Sequence, residues 1–315
     1  MHKLLTSNLA KIKLIIMAQK LAKVIEVRSA SIIEGGKINP AEALKMLEVG
    51  LDNLSPTGVS YDLLDQLFPL KETIGIKVNT LVGKIMSTSP EMAYSLAEIL
   101  HRQGHKKKNI IIWDRREDEL SRAGYKITTR GSDYLCFATD TRGVGFAREL
   151  FSYKTVGSLI SRIQTELTDS VVNFPILKDH SLAGLSGCLK NYFGVIHNPN
   201  KYHENNCDPY QADLYSMNII KGKQKLAVFD AVRVQFNGGP GYVPRWATDY
   251  KAVLLATDAV ALDRVALEII DRLRTQNGLA KLKDSGREAI SINTSGNAGL
   301  GCAELDKIEW IVTEV

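Results

Sequence analysis

Ile74-Gly75-Ile76-Lys77-Val78-Asn79 and Asn109-Ile110-Ile111-Ile112-Trp113-Asp114 are two apolar, β-branched segments that decide the fold class of this chain. Between them, Ser87-Thr88-Ser89-Pro90-Glu91 supplies a helix N-cap and a proline in the first turn, and Gly104 ends the helix. A strand, a helix and a strand in this order predict a βαβ unit with parallel strands. The nearly all-apolar second segment is typical of a strand buried on both faces. We therefore expect an α/β fold with a mixed, largely parallel sheet flanked by helices.

Further strands and helices extend this unit in both directions along the chain. Residues 125–160 contain several glycines and are expected to form turns outside the sheet. Neither an internal repeat nor a low-complexity linker divides the chain, so residues 21–315 are predicted to form a single α/β domain. Strands are predicted at 23–28, 170–175, 226–230, 252–256 and 308–312, and helices from Pro40 onward and over 258–273.

The N-terminus differs in composition from the rest of the chain. The first 25 residues hold five lysines and no acidic residue, with a short apolar patch at 14–18. Residues 1–20 are expected to be a basic, disordered extension, and a secretory leader is the alternative. The protein is accordingly expected to be cytoplasmic, with export as the alternative. No apolar run reaches the length of about 20 residues that a membrane span requires.

Charge and cysteine spacing exclude several classes of function. The net charge of +5 equals the lysine excess of the N-terminus, so the remainder of the chain is neutral and no nucleic-acid partner is predicted. The runs Lys106-Lys107-Lys108 and Arg115-Arg116 are interpreted as solvated. Cysteines stand at 136, 188, 207 and 302 without a CxxC pair, so the sequence contains no iron–sulfur or zinc-knuckle motif.

Polar residues stand at the carboxyl ends of several predicted strands. In open α/β sheets, ligands bind at these ends. Lys77 and Asn79 end one strand, Asp114 ends another and Asp230 a third. Lys178-Asp179-His180 follow a fourth strand. These residues are candidates for ligand binding, and helix capping is the structural alternative for each aspartate.

The densest group of polar residues lies between Lys178 and Gly194. Small residues after His180 let backbone N–H groups approach a ligand, and Lys190-Asn191 follow at the start of a predicted helix. Lys178 and Lys190 add positive charge suited to a phosphate or carboxylate group. His180 is predicted to act as a general acid or base, or as a metal ligand.

Two further groups of candidates lie on loops that reach the same edge. His197 and His203 could join His180 around a divalent metal ion, although solvent exposure is equally compatible with their loop. Gly239 lies in a Gly-Gly-Pro-Gly loop that lacks a nucleotide-binding fingerprint. Asp258 and Asp263, at the start of a long helix, are candidates for ligand binding or for capping.

Seven motifs follow one another along the chain, at 76–79, 111–114, 173–180, 187–194, 230–231 with 239–240, 257–263 and 299–301. Their order resembles the family called domain of unknown function 362. The resemblance implies little about activity: many relatives carry a fused ferredoxin-like iron–sulfur module and some a twin-arginine leader, whereas this sequence shows no cysteine cluster and no adjacent arginines near its start. A weaker likeness, from His180 through Lys190 to a downstream histidine, is to lactate racemase-like proteins, which use a nickel-bearing nucleotide cofactor.

Two functional hypotheses follow. The first is an enzyme or ligand-binding protein for a small anion, with metal assistance as an option, in which Lys178 and Lys190 bind charge and His180 serves in acid–base chemistry. The alternative is an accessory protein that docks a ferredoxin-like, iron–sulfur partner. The first hypothesis predicts that Lys178, His180, Lys190 and Asn191 face one pocket together with Lys77 or Asn79. Asp179, Asp258 and Asp263 are the internal candidates to pair with the two lysines.

Overall fold

The segment from residue 74 to residue 114 forms the expected βαβ unit, and its two strands lie near one end of a large sheet. The computed structural model describes residues 22–315. Within them the strands are β1 (Ala22–Arg28), β2 (Ile33–Glu34), β3 (Lys37–Ile38), β4 (Ile74–Val78), β5 (Ile110–Asp114), β6 (Leu135–Ala138), β7 (Phe151–Tyr153), β8 (Val156–Ser158), β9 (Ser170–Phe174), β10 (Ile176–His180), β11 (Gly184–Ser186), β12 (Gln224–Gln235), β13 (Ala247–Ala256) and β14 (Ile308–Glu314).

Ten of these strands form one mixed sheet in the described part of the chain, in the order β14-β1-β13-β12-β9-β4-β5-β6, with β10 and β11 attached through β12. The strands β12, β9, β4, β5 and β6 run parallel to one another, and β14 runs parallel to β1, whereas β13 runs antiparallel to both strands beside it. The predicted α/β class with a largely parallel sheet is confirmed.

Helices cover both faces of the sheet. They can do so because successive residues of the central strands point to opposite faces and are apolar on each of them. In β5, Ile110 and Ile112 pack into one apolar core, and Ile111 and Trp113 pack into the other. The helices are α1 (Pro40–Leu54), α2 (Ser60–Leu67), α3 (Pro90–Arg102), α4 (Glu117–Ala123), α5 (Cys188–Asn191), α6 (Tyr210–Ser216), α7 (Asn218–Lys221), α8 (Ala259–Gln276) and α9 (Ile290–Asn297).

Three parts of the chain differ from the sequence-based expectation. Residues 178–180 were expected after a strand, but they lie within β10, which begins directly after Pro175. Asp230 was expected at a strand end, but β12 continues for five residues beyond it, to Gln235. The stretch 125–160 contributes the edge strand β6 to the main sheet. The expected basic extension, residues 1–20, lies outside the described residues.

The helices found within residues 22–315 include none with both the length and the apolar character needed to cross a bilayer.

Candidate functional site

A cavity of about 320 Å³ opens beyond the carboxyl ends of β4 and β5. Its size is within the range of small-molecule sites, and its position is where ligands bind in open α/β sheets. Four basic and two acidic residues contribute to its wall, so the lining carries more positive than negative charge. The cavity is lined by Lys77, Asn79, Leu81, Asp114, Arg115, Arg116, Glu119, His180, Ser186, Lys190, Asn191, Phe193, Gly194, Pro199, Asn200, His203 and Pro240.

The floor of the cavity contains a buried ion pair between adjacent strands. Lys77 Nζ, on β4, lies 2.7 Å from Asp114 Oδ1, on β5, and both side chains are buried. Thr80 donates its backbone N–H and its hydroxyl to the other carboxylate oxygen, at 2.7 and 2.8 Å. A β-carbon at Gly194 would lie 2.9 Å from Lys77 Nζ, so glycine is required where this turn crosses the pair. The positive charge of Lys77 is therefore compensated within the protein.

Asn191 is held against this pair by hydrogen bonds from three sides. Its Oδ1 accepts from Lys77 Nζ at 3.2 Å, and its Nδ2 donates to the Lys77 carbonyl and to Asn173 Oδ1. The short helix α5 that carries Asn191 begins on the Asp263 carboxylate, which accepts the backbone N–H groups of Cys188 and Leu189. Asp263 thus positions α5 from behind and does not line the cavity.

Lys190 extends into the cavity without a carboxylate partner among the described residues. Its Nζ lies 3.1 Å from His203 Nε2 and 4.0 Å from the centre of the Phe193 ring. His203 Nδ1 lies 3.0 Å from the Pro199 carbonyl, which can only accept, so Nδ1 carries the proton and Nε2 accepts from Lys190. Burial lowers the pKa of Lys190 to about 8.

His180 presents the opposite tautomer to the cavity. Its Nδ1 accepts the backbone N–H groups of Leu182 and Ala183, both at 3.1 Å, so the proton of the neutral ring is on Nε2. Burial, reinforced by repulsion from Lys190, lowers the pKa of His180 to about 3. At neutral pH this imidazole is therefore uncharged, and it can donate a hydrogen bond from Nε2 but cannot accept a proton readily.

Lys178 lies two residues before His180 on β10, hence on the same side of the strand. It is fully buried and does not itself line the cavity, but its Nζ lies 3.4 Å from Oδ1 of the cavity residue Asn79. The Met86 carbonyl is equally distant, and both contacts are long for hydrogen bonds. Burial lowers the pKa of Lys178 to about 8.

The three aspartates proposed as partners of these lysines have other partners. Asp179 points away from Lys178, accepting the Gly239 N–H and pairing with Arg287 at 2.9 Å. Asp258 caps α8 through the N–H groups at positions 260 and 261, and Asp263 is engaged by α5. None of these three candidates therefore forms an ion pair with Lys178 or Lys190.

Four of the predicted ligand-binding residues line the cavity and four do not. Lys77, Asn79, Asp114 and Asn191 are in its wall. Asp230 is buried at the start of α3, where its carboxylate accepts the N–H and hydroxyl of Ser89. Asp230, Asp258 and Asp263 thus accept hydrogen bonds that fix the starts of helices. Gly239 donates its N–H to Asp179 and precedes the cavity residue Pro240.

The predicted three-histidine metal centre does not form. The His180 and His203 rings lie with their centres 5.8 Å apart and are tilted by 31°, but the His197 ring packs edge-on against Phe146. Across residues 22–315, no group of three or more His, Cys, Asp and Glu side chains has the geometry to hold a metal ion. Both inward-facing histidine nitrogens are also engaged or protonated: His203 Nε2 contacts the Lys190 amine and His180 Nε2 carries a hydrogen. The donor set does not fit a metal ion.

Several cavity residues were missed or misread in the sequence. Arg116 is exposed and pairs with Asp118 and Glu119, as its interpretation as solvated implies, but Arg116 and the half-buried Arg115 also border the cavity, which the sequence did not indicate. Glu119 lies one turn into α4, and burial raises the pKa of its carboxyl group. The strand-end criterion that identified Asp114 could have included both arginines, whereas Ser186, Phe193 and Asn200 carry no comparable signal.

Comparisons with known proteins give a family but no activity. A solved protein from Thermotoga maritima is 12% identical, with a TM-score of 0.41 over 84% of this chain. The chain spans 60% of the length of that protein. Curated proteins yield no significant match. The family model described as "Domain of unknown function (DUF362)" matches residues 74–268, which is more than half of the sequence. The chain therefore belongs to the DUF362 family.

Proposed function

We propose that the cavity binds a small anion with a carboxylate or phosphate group, and that the protein is an enzyme or a binding protein for such an anion. The observation that supports this is the state of Lys178 and Lys190. Both are buried, and within residues 22–315 neither has a carboxylate within 4.0 Å of its ammonium group. A buried ammonium without an ion-pair partner is costly, and the charges of Asp114 and Asp179 offset only part of that cost for Lys178. A bound anion would supply the missing partner.

The other charges of the cavity favour the same ligand. Lys77 is neutralised by Asp114, but the Arg115 side chain, within the part of the chain that the structure describes, donates only to the backbone carbonyl of His197. The pKa of about 8 at Lys178 and at Lys190 leaves both groups largely protonated at neutral pH. The pocket is therefore positive where a small anion would lie, and Arg115 adds to that charge, whereas Arg116 is paired with Asp118 and Glu119.

In an enzyme, the tautomers of His180 and His203 would give Lys190 and His180 different roles. Lys190, whose amine titrates close to neutral pH, suits proton transfer better than His180 does. His180 suits stabilisation of a developing negative charge through Nε2–H. Lys178, whose ammonium group lies beside Asn79, then stabilises the bound anion through its positive charge. This assignment moves the acid–base role that the sequence suggested for His180 to Lys190.

A thermal-unfolding screen with small anions tests the proposal. We expect inorganic phosphate, L-lactate or pyruvate at millimolar concentration to raise the Tm of the wild-type protein at neutral pH by several degrees, because a ligand that binds only the native state stabilises it. Lys190→Met should remain folded and lose this increase.

Lys201→Met is the matched control, since Lys201 is an exposed lysine beside the cavity residue Asn200. It should keep the full increase in Tm. The proposal fails if none of the three anions changes the Tm of the wild-type protein, or if Lys190→Met responds as strongly as Lys201→Met.

A further inference from the structure

The two lysines that line the cavity hold their amines in different ways. Lys77 Nζ is fixed by the Asp114 carboxylate at 2.7 Å and by two further oxygen acceptors. Among residues 22–315, Lys190 Nζ contacts only a neutral imidazole nitrogen and an aromatic face. A carboxylate partner stabilises an ammonium and blocks its lone pair, whereas a neutral acceptor leaves the amine able to lose a proton and act as a nucleophile.

The groups around Lys190 are arranged for attack on a carbonyl. His203 Nε2 accepts one hydrogen of the amine and so fixes the orientation of the nitrogen. The His180 ring centre lies 5.8 Å from that of His203, and His180 carries a hydrogen on Nε2 in the wall of the same cavity. A neutral N–H donor of this kind polarises a carbonyl oxygen without forming an ion pair with it. The nucleophile and the electrophilic donor thus lie on one wall.

Resting on the proposed anion site, we propose that Lys190 condenses with the carbonyl group of a small 2-oxo acid to form a protonated imine. The Lys190 ammonium and the carbonyl compound give the iminium and one water molecule. The carbonyl carbon–oxygen bonds break, a carbon–nitrogen double bond forms, and two of the three ammonium hydrogens leave with the oxygen as water. No oxidant, reductant or metal ion is needed.

The positive charge of the cavity favours a carbonyl compound that also carries a carboxylate group. The iminium keeps one positive charge on Nζ, next to the carbon that bears the carboxylate of a 2-oxo acid. Arg115 lines the same cavity, and among residues 22–315 its guanidinium donates to the His197 carbonyl and forms no ion pair, so it can contact the carboxylate oxygens. An uncharged ketone would leave the buried positive charge of Lys178 and Lys190 uncompensated.

Reductive trapping tests this inference. The wild-type protein is incubated with pyruvate and sodium cyanoborohydride, and the adduct is located by intact mass and peptide mapping. We expect one reduced pyruvyl group per chain, on Lys190. Lys201→Met should be trapped at the wild-type rate. His180→Phe should slow trapping about 10-fold or more, because the donor to the carbonyl oxygen is lost.

Lys190→Arg separates imine formation from anion binding. Arginine keeps the positive charge but forms no imine, so this variant should still be stabilised by pyruvate and L-lactate while giving no adduct. L-Lactate, which lacks the carbonyl, should stabilise the wild-type protein without being trapped. Stabilisation by both acids with no adduct at Lys190 overturns the imine and leaves the anion site standing. Adducts spread over surface lysines also overturn it, and no stabilisation by any anion overturns both proposals.

Discussion

Lys77→Met is expected to lower the free energy of unfolding by about 3–5 kcal/mol, the usual cost of removing one partner from a buried ion pair. The Asp114 side chain is 7% exposed, so its carboxylate would lose its cationic partner without gaining water. Asn191 would lose a donor at the same time. Denaturant unfolding at neutral pH measures the change.

The control for this variant is Lys307→Met. Lys307 pairs with Glu304 at the surface, where both side chains are more than half exposed. Pairs of this kind contribute little, so the unfolding midpoint should stay within error. A loss below about 1 kcal/mol in Lys77→Met would contradict the buried pair as the anchor of the cavity floor.

Replacing Lys178 or Lys190 with methionine should instead raise the free energy of unfolding. Replacing a buried ammonium that lacks a carboxylate partner with methionine, a side chain of similar length, is expected to stabilise the ligand-free protein at neutral pH. The pKa of each lysine falls from 10.5 to about 8 on folding. That shift corresponds to a gain on the order of 3 kcal/mol for each variant at most.

The pH dependence of this gain has a definite direction. Between pH 8 and 10.5 the unfolded chain binds more protons than the folded chain at these lysines, so the stability of the wild-type protein rises with pH through that window. Below about pH 8 these lysines are protonated in both the folded and the unfolded chain, so the full free-energy cost of burying their charge applies. The advantage of Lys178→Met and Lys190→Met should therefore be largest at neutral pH and shrink towards pH 10.

Denaturant unfolding of wild type and variants across this pH range checks the prediction, and the difference between proteins cancels the titration of other lysines and tyrosines. Variants that are less stable than wild type at neutral pH, or an advantage that does not change with pH, would show that Lys178 and Lys190 are compensated within the folded protein.

The fold could be predicted because its signals are local. The apolar runs of β4 and β5 and the proline of α3 are recognisable in sequence. The missed features depend on partners far along the chain. Pro175 lacks an N–H and was interpreted as the end of a strand, but its carbonyl accepts from the Asp230 N–H, and β10 pairs with β12 from there.

The candidate site could be predicted in part for the same reason. Residues at the ends of β4 and β5 were found, because parallel strands bring their carboxyl ends to one edge. The partner of each charge could not be found, since Asp263 accepts N–H groups at positions 188 and 189 only once α8 packs against α5. The tautomers of His180 and His203 likewise depend on contacts that sequence spacing does not show.

Isothermal titration calorimetry with inorganic phosphate and L-lactate at pH 8, in two buffers of different ionisation enthalpy, tests the anion site most directly. A bound anion raises the pKa of Lys178 and Lys190 from about 8, so we predict binding to the wild-type protein with net proton uptake, and loss of most of that binding in Lys190→Met. No binding of either anion, or binding without proton uptake that persists in Lys190→Met, would contradict the account.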